Sequence, residues 1–272
     1  MPLCWPEELR RLLPPASKTI LDRQRKKLDD DWAIVSSGDL GIKREDFVYA
    51  WMLVNSRTFY HTTPRTEHRL PKEDHMALIP VADLFNHSSS ASTVKASYDA
   101  TSYTFTTTRA HTPGQELLLC YGQHSNDTLL VDYGFTLPAN PHDETTLDAF
   151  ITPLLTRQQS RHLRRAGFTG PYVLDAETPC YRTVTALRLM ALPAAAWGSV
   201  LDGSRDEDED AAVVDEGLGA LLADFEMEIR RQLELVSQLD DDDATSDQKA
   251  CLRARWIAIQ DMVLANLTRL RR

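Results

Sequence analysis

The sequence predicts an α+β protein with a helical beginning, a β-rich centre and a helical tail. Three observations lead to this fold class. Apolar residues recur at helical spacing over the first sixty positions, they alternate with period two from Val94 to Phe105, and long helical patterns return after Asn140-Pro141. A chain of 272 residues can bury a substantial core as one large domain or two modest ones.

Three helices are predicted before residue 60. Their sequences are PEELRRLLP, then SKTILDRQRKKLDDDW with Ser17 as its N-cap, then KREDFVYAWMLVNSRTF. In the third segment Phe47, Ala50, Trp51 and Val54 fall on one helical face.

Strands are predicted in the central region. TVKASYD and SYTFTTTR place apolar residues at alternating positions, as half-buried strands do. ELLLCYG is a short apolar run between Pro113-Gly114 and Gly122, which is typical of a buried strand. Ser125-Asn126-Asp127 then favours the start of a short helix that extends to Tyr133.

The tail after Pro141 is predicted to be helical. Its segments are RQQSRHLRRAG, TVTALRLMAL, VVDEGLGALLADFEMEIRRQLELVSQL and KACLRARWIAIQDMVLANLTRLRR, and the fourth ends at Arg272. The acidic runs Asp206–Asp210 and Asp240–Asp243 lie between them. Runs of like charge repel one another and resist burial, so they are expected to be solvated loops rather than metal sites.

Composition excludes several classes of protein. The net charge of −10 argues against a general nucleic-acid or anionic-membrane surface, which needs a basic patch. The four cysteines are scattered without a CxxC pair, so they indicate a reducing compartment rather than disulfides or zinc. No apolar run reaches the length of a membrane span or a signal-peptide core. An intracellular protein is expected, in the cytoplasm or the nucleus.

The most informative stretch runs from Ala77 to Phe135. It contains ALIPVADLFNHSSS and GQELLLCYGQHSNDTLLVDYGF, in which an Asn-His pair is followed by two Tyr-Gly pairs. A tyrosine before glycine places a phenol, which can donate and accept a hydrogen bond, where the backbone can bend toward a ligand. Tyr121 and Tyr133 hold these positions, Asn86 adds an amide, and Arg57 adds a planar cation at a helix end. This combination indicates a reaction centre.

These residues resemble the SET-domain methyltransferases. VADLFNHS, GQELLLCYG, HSNDTLLVDYGF and the preceding LVNSRTF are similar to the branch with the Rubisco large-subunit lysine methyltransferase, the fungal ribosomal-protein methyltransferases and the actin-histidine methyltransferase. The similarity covers about Trp5–Leu147, and more weakly the helical tail. The three central motifs are specific only in combination, at this order and spacing.

The resemblance implies methyl transfer from S-adenosylmethionine to a protein side chain, most often a lysine. It assigns the catalytic role to Tyr121 and Tyr133, and the cofactor-binding role to Arg57, Asn86 and His87. Two further residues are expected to line the acceptor channel, Asp83 and Tyr98. No metal is implied, because position 88 is Ser and no CxC follows.

The resemblance also implies a division of the chain. Residues 1–143 correspond to a SET domain remnant, with a helical insertion at 1–60 and the cofactor and acceptor core at 77–135. Residues 144–272 are similar to the branch's helical substrate-binding domain. The expected partner is a ribosomal or other intracellular protein. The Gly-rich strand pair that opens SET domains has no counterpart after Met1, so we expect either a truncated gene product or one lacking half its cofactor site, and favour the first.

Simpler interpretations compete with these assignments. Asn86-His87 is compatible with a turn, Arg57 with a surface pair to Glu45 or Asp46, and Tyr103 with plain strand core. His124 and Asp132 are expected to be solvated. A catalytically impaired relative that acts as a protein-binding module is the alternative function, because part of the cofactor site has no counterpart.

Overall fold

The protein combines long helices with short strands, as the sequence predicts. The computed structural model describes residues 1–38, 40–69, 71, 74–240 and 243–271. The helices are α1 (Glu7–Arg11), α2 (Pro15–Ser36), α3 (Arg44–Arg57), α4 (Asn126–Thr128), α5 (Asp148–Ile151), α6 (Arg157–Ala166), α7 (Tyr181–Ala191), α8 (Ala194–Leu201), α9 (Ala211–Gln238) and α10 (Ser246–Leu270). Within these described ranges, no helix is both long and apolar enough to cross a bilayer.

The strands are short. They are β1 (Thr58–Tyr60), β2 (Met76–Leu78), β3 (Asn86–His87), β4 (Val94–Tyr98), β5 (Tyr103–Thr107), β6 (Leu118–Leu119), β7 (Glu144–Thr146) and β8 (Val173–Asp175). Short 3₁₀ turns lie at Pro2–Cys4, Ala82–Leu84, Thr152–Leu154 and Glu207–Asp210, and a π-helical turn at Leu129–Tyr133 continues α4. The predicted strands TVKASYD and SYTFTTTR are β4 and β5, and ELLLCYG contains β6.

The central sheet brings distant motifs together. Its strand order is β3-β6-β4-β5, with β4 and β5 antiparallel in full register. Strands β3 and β6 run parallel, and His87 lies opposite Leu119. Because parallel neighbours end at the same edge of a sheet, the Asn86-His87 pair and the Tyr121-Gly122 pair meet there.

One hydrophobic core joins the first helices to the helical tail. The buried cluster includes Trp5, Leu9 and Leu13 from the beginning of the chain together with Phe225 and Trp256 from α9 and α10. The Trp256 indole Nε1 also donates a hydrogen bond of 2.8 Å to the Leu12 carbonyl. The opening helices therefore pack on the last helix, although they are separated by the whole sequence.

The helical tail begins from clear capping signals. At α6, Thr156 and Gln159 form a reciprocal capping box, and Gly167 ends the helix in the left-handed conformation. The predicted cap at Ser125 is confirmed, because its hydroxyl accepts a hydrogen bond from the Thr128 amide. Helix α9 packs along α10 over most of its length and provides much of the tail's core.

Two predictions about polar residues are wrong. Helix α2 begins at Pro15, and Ser17 is not its cap but a buried residue whose hydroxyl donates to Asp127. The run Asp206–Asp210 is not wholly solvated, because Asp210 is 4% exposed and accepts two hydrogen bonds from Arg205, at 2.7 and 3.0 Å. A paired carboxylate can be buried where a lone one cannot. Asp241 and Asp242 of the second acidic run lie outside the described residues.

Candidate active site

Tyr121 lies just beyond β6, where the chain turns at Gly122. Its hydroxyl donates a hydrogen bond of 2.5 Å to the Phe85 carbonyl. Burial raises the pKa of Tyr121 above that of a free phenol, although nearby Arg57 acts in the opposite direction. Gly122 has φ +152°, and a Cβ there would lie 2.6 Å from the His124 ring. The turn therefore requires glycine.

Tyr133 approaches from the end of the π-helical turn. Its ring centroid is 5.3 Å from that of Tyr121, with an interplanar angle of 39°. Burial raises the pKa of Tyr133 to about 12, and Asp132 and Tyr121 add to this shift. Both phenols are therefore protonated and uncharged at neutral pH.

The two phenols face a cavity of about 250 Å³, which we call the tyrosine cavity. The Arg57 guanidinium and Asp83 are on its wall, and Arg57 donates a 2.5 Å hydrogen bond to the Asp83 carbonyl. Arg57 therefore does not pair with Glu45 or Asp46 as the simpler interpretation required. The other lining residues are Ser56, Thr58, Phe59, Tyr60, Ala82, Phe85, Ala96, Tyr103, Leu119 and Cys120.

Asn86 and His87 lie beside the cavity rather than on its wall. The exposed Asn86 amide donates a 2.5 Å hydrogen bond to Glu116. His87 is buried, its ring centroid is 5.0 Å from that of Tyr121, and its Nδ1 accepts a 3.0 Å hydrogen bond from the Tyr121 amide. Burial lowers the pKa of His87, and nearby His124 adds to the effect. A neutral His87 then carries its proton on Nε2, a buried atom without a hydrogen-bond partner.

Tyr98 does not line the cavity, contrary to the expectation that it lines the acceptor channel. It is 40% exposed and stacks on Tyr103 with ring centroids 5.3 Å apart. The cavity-lining tyrosine of this hairpin is Tyr103, whose hydroxyl donates to the Tyr60 carbonyl at 2.9 Å. The prediction that Tyr103 is plain core is therefore wrong. Period-two alternation reveals a strand face but not whether that face meets core or cavity.

His124 and Asp132 are also less solvated than expected. The His124 ring lies over Gly122 and 5.8 Å from the Tyr133 ring. Asp132 is half-buried and accepts a 3.0 Å hydrogen bond from Gln24. Burial raises the pKa of Asp132, whereas Arg23, His124 and Gln24 act in the opposite direction. Across the ranges that the structure describes, no group of three His, Cys, Asp or Glu side chains is arranged to hold a metal ion.

Of the predicted site residues, the structure brings Arg57, Asp83, Tyr121 and Tyr133 together around one cavity. His87 lies next to this group, with its ring centroid 5.0 Å from that of Tyr121. The Asn86 side chain, which the sequence analysis includes in the same reaction centre, is bonded to Glu116 and does not line the cavity. The arrangement offers two neutral phenols and aromatic walls beside the charged side chains of Arg57 and Asp83. It can therefore hold an uncharged polar group in a fixed orientation.

This fold is that of SET-domain proteins in the branch that includes Rubisco LSMT. A structure of Rubisco LSMT bound to sinefungin and monomethyllysine superposes with a TM-score of 0.61 at 15% identity, covering 99% of this chain and 66% of that one. A structure of the LSMT SET domain bound to lysine and AdoHcy gives a TM-score of 0.60 at 14% identity, covering 99% and 67%. The α+β prediction is confirmed.

Sequence comparison finds relatives in the same branch. The chain is 31% identical over 226 residues to SET domain-containing protein 4 of Mus musculus, covering 74% of this chain and 51% of the relative. It is 32% identical over 151 residues to ribosomal lysine N-methyltransferase set11 of Schizosaccharomyces pombe, covering 56% and 38%. The chain thus spans about half the length of the mouse protein and less than half the length of the yeast protein. No family model matches it. The predicted resemblance to the SET-domain branch is confirmed.

Proposed function

We propose that the protein is an S-adenosylmethionine-dependent protein methyltransferase that acts on a lysine amine. The observation that carries this proposal is the pair of neutral phenols, Tyr121 and Tyr133, on one cavity wall with ring centroids 5.3 Å apart. Its relatives and structural neighbours include proteins named for lysine methylation and structures that hold lysine or cofactor analogues. This likeness supports the same chemistry here.

The difficulty of the reaction is the charge of the acceptor. A lysine amine with a pKa near 10.4 is almost entirely protonated at pH 7, and supplying the free base costs about 4–5 kcal/mol. An apolar cavity reduces that cost because it disfavours the ammonium form. The aromatic side chains Phe59, Phe85 and Tyr103 provide such surroundings over part of this wall, which also carries the charged side chains of Arg57 and Asp83.

The phenols then orient the amine. The Tyr121 O–H is already donated to the Phe85 carbonyl, which leaves the lone pairs of the phenol oxygen to accept an amine N–H. The raised pKa of Tyr133, about 12, keeps that phenol neutral as well. Neither group introduces a charge that would favour the ammonium form. Most of the acceleration is therefore expected from positioning.

The residues present fit a bound S-adenosylmethionine in part. The buried His87 Nε2 has no hydrogen-bond partner, so it is free to donate to an acceptor on a bound ligand. Arg57, Asn86 and His87 would hold the cofactor along the edge where β3 and β6 end. When bound, it supplies an electrophilic methyl group on a sulfonium. The unpartnered Nε2 of His87 supports a cofactor-binding role more than the Asn86 amide does, because that amide already donates a hydrogen bond to Glu116.

We infer that the partner is a basic intracellular protein. The chain carries a net charge of −10, which favours association with positively charged segments. The fission yeast relative is named a ribosomal lysine N-methyltransferase, which is compatible with a partner of this kind. The helical part after residue 143 would provide the docking surface, which leaves the tyrosine cavity free for one side chain.

The test is transfer of labelled methyl groups from S-adenosylmethionine to proteins of a cell extract. Tyr121→Phe removes one hydroxyl and is expected to lower the transfer rate about 10²–10³-fold, as the loss of one positioned hydrogen-bonding group does. Tyr49→Phe is the matched control, since Tyr49 is exposed on α3, does not line the cavity and lies outside the helical part assigned to docking. Equal transfer by both variants would refute the role of Tyr121.

One observation favours the alternative, a binding module without activity. Asn86 and His87, the predicted cofactor ligands, are not on the wall of the cavity that holds the phenols. Calorimetry with S-adenosylmethionine separates the two functions. A dissociation constant in the micromolar range supports the enzyme, and absence of binding at millimolar cofactor supports the module.

A further inference from the structure

The segment that carries Tyr133 begins at a buried ion pair with the last helix. Asp127 of α4 is 2% exposed, and Arg255 of α10 is fully buried. The Arg255 Nε donates to Asp127 Oδ1 at 3.0 Å and Nη2 donates to Oδ2 at 2.7 Å. This is a bidentate, charge-assisted pair between residues that are far apart in the sequence.

The same guanidinium holds the following loop. Its Nη1 donates to Asp143 Oδ2 at 2.7 Å, and its Nη2 also donates to the Glu144 carbonyl at 2.9 Å. Asp143 in turn accepts hydrogen bonds from the Asn126 amide and side chain, at 2.9 and 3.0 Å. We call Arg255, Asp127, Asp143 and Asn126 the Arg255 clamp. It satisfies every charged group that it buries.

The other end of the segment is held by α2. The Gln24 Nε2 donates to the Val131 carbonyl at 3.3 Å and to Asp132 at 3.0 Å. The Ser17 hydroxyl, two turns earlier on the same helix, donates to Asp127. Between these anchors, Leu129, Leu130 and Val131 are fully buried. The backbone from Asn126 to Tyr133 therefore has little freedom to shift.

We propose that Arg255 is a positioning residue for Tyr133, so that the last helix completes the reaction centre from a distance. A buried ion pair is weak evidence for stability by itself, because desolvation offsets its attraction. What it does fix is geometry, since the guanidinium fork donates to the carboxylate oxygens in one arrangement. Six residues of helical backbone, about 9 Å, connect Asp127 to Tyr133. The inference rests on the proposed function only for its effect on rate.

The first test replaces Arg255 by lysine, which keeps the charge and loses the fork. We expect Arg255→Lys to lower kcat about tenfold or more, because small misplacements of a positioned group cost up to about 10²-fold. The KM for S-adenosylmethionine is expected to change by less than about twofold, since Arg255 makes no contact with the cavity wall. Arg253→Lys, an exposed position on the same helix, is the control and is expected to retain the kcat of the unsubstituted protein at saturating protein substrate.

The second readout needs no activity. With 3-fluorotyrosine at position 133, the fluorine NMR signal of Arg255→Lys is expected to shift or broaden relative to the unsubstituted protein. The same label at Tyr181 is expected to give an unchanged signal. An unchanged signal at position 133 in folded protein would overturn the proposal, as would an unchanged kcat. If the signal shifts in Arg255→Lys but the unsubstituted protein transfers no methyl group, the positioning role of Arg255 is supported and the proposed function is refuted.

A milder variant covers the case in which Arg255→Lys does not fold. Ser17→Ala removes one hydrogen bond to Asp127 and leaves the ion pair intact. It is expected to shift the signal at position 133 in the same direction by a smaller amount. No shift in folded Ser17→Ala, together with an unfolded Arg255→Lys, would mean that the clamp serves stability alone and would overturn the positioning role.

Discussion

Tyr121 and Tyr133 show how much of a site can be predicted at the scale of single residues. Their types and spacing predict paired phenols, and the structure places the two rings 5.3 Å apart on one cavity. The environment of Asp132 was not predictable, because the hydrogen bond that it accepts comes from Gln24, 108 residues earlier. A local pattern identifies side chains that can react, whereas burial depends on which distant helix covers them.

The buried carboxyl of Asp132 leads to a prediction about stability and pH. Its pKa is raised above the unfolded value of 3.8, chiefly by burial. The folded state therefore binds the proton more readily, so the free energy of unfolding falls as the pH rises through the folded pKa and stays lower at neutral pH. Asp132→Asn keeps an acceptor for Gln24 and removes this loss. It is expected to raise the melting temperature at pH 7 and to leave it unchanged near pH 3.

Calorimetric melting curves at both pH values test this expectation. Asp261→Asn, an exposed change on α10, is the control and is expected to have no effect at either pH. Equal melting temperatures for wild type and Asp132→Asn at pH 7 would show that the ionised carboxylate is not destabilising.

At the scale of elements, the sequence predicts which helices and strands exist better than it predicts where they begin and end. The hairpin of β4 and β5 and the capped helix after Ser125 are present as expected. The strand predicted from ELLLCYG is reduced to Leu118–Leu119, and the helix to Tyr133 becomes one α turn followed by a π turn. The shorter strand leaves Tyr121 two residues beyond it, and the π turn ends at Tyr133 as predicted. Tertiary contacts of the site, which local propensity does not contain, set these ends.

Gly134 ends the segment that carries Tyr133, and its conformation predicts that a side chain there is destabilising. Gly134 has φ +89°, in the left-handed region, and its amide bonds back to the Leu129 and Leu130 carbonyls. Gly134→Ala is expected to destabilise the protein by about 1–2 kcal/mol, the cost of a Cβ in this conformation. Urea unfolding measures the difference. Gly217→Ala within α9, where a Cβ meets nothing within 4 Å, is the control and is expected to stabilise slightly.

At the scale of the molecule, the sequence predicts the order of helical and β-rich regions but not how they pack. The division at residues 143 and 144 stays a prediction. The core, however, is continuous across it, since Leu9 and Leu13 share one cluster with Phe225 and Trp256. Such contacts join residues more than two hundred positions apart, and no periodicity in the sequence specifies that pairing.

A core that is continuous across the division predicts cooperative unfolding of the regions that share it. With 5-fluorotryptophan in place of tryptophan, the folded-state signals of the three tryptophans in this core, Trp5, Trp197 and Trp256, are expected to disappear at the same urea concentration. Trp5 lies before the division and Trp197 after it, so both sides are sampled. Separate midpoints for these two signals would show that the parts unfold independently and that the Arg255 clamp does not couple them.

The central claim is that the tyrosine cavity holds a neutral lysine amine for methylation. The most direct measurement is the chemical identity of the labelled residue after hydrolysis of proteins incubated with the enzyme and labelled S-adenosylmethionine. We predict label in Nε-methylated lysine for the unsubstituted protein and for Tyr49→Phe, and its loss for Tyr121→Phe. Label in methylhistidine, or methyl-lysine that persists in Tyr121→Phe, would contradict this account.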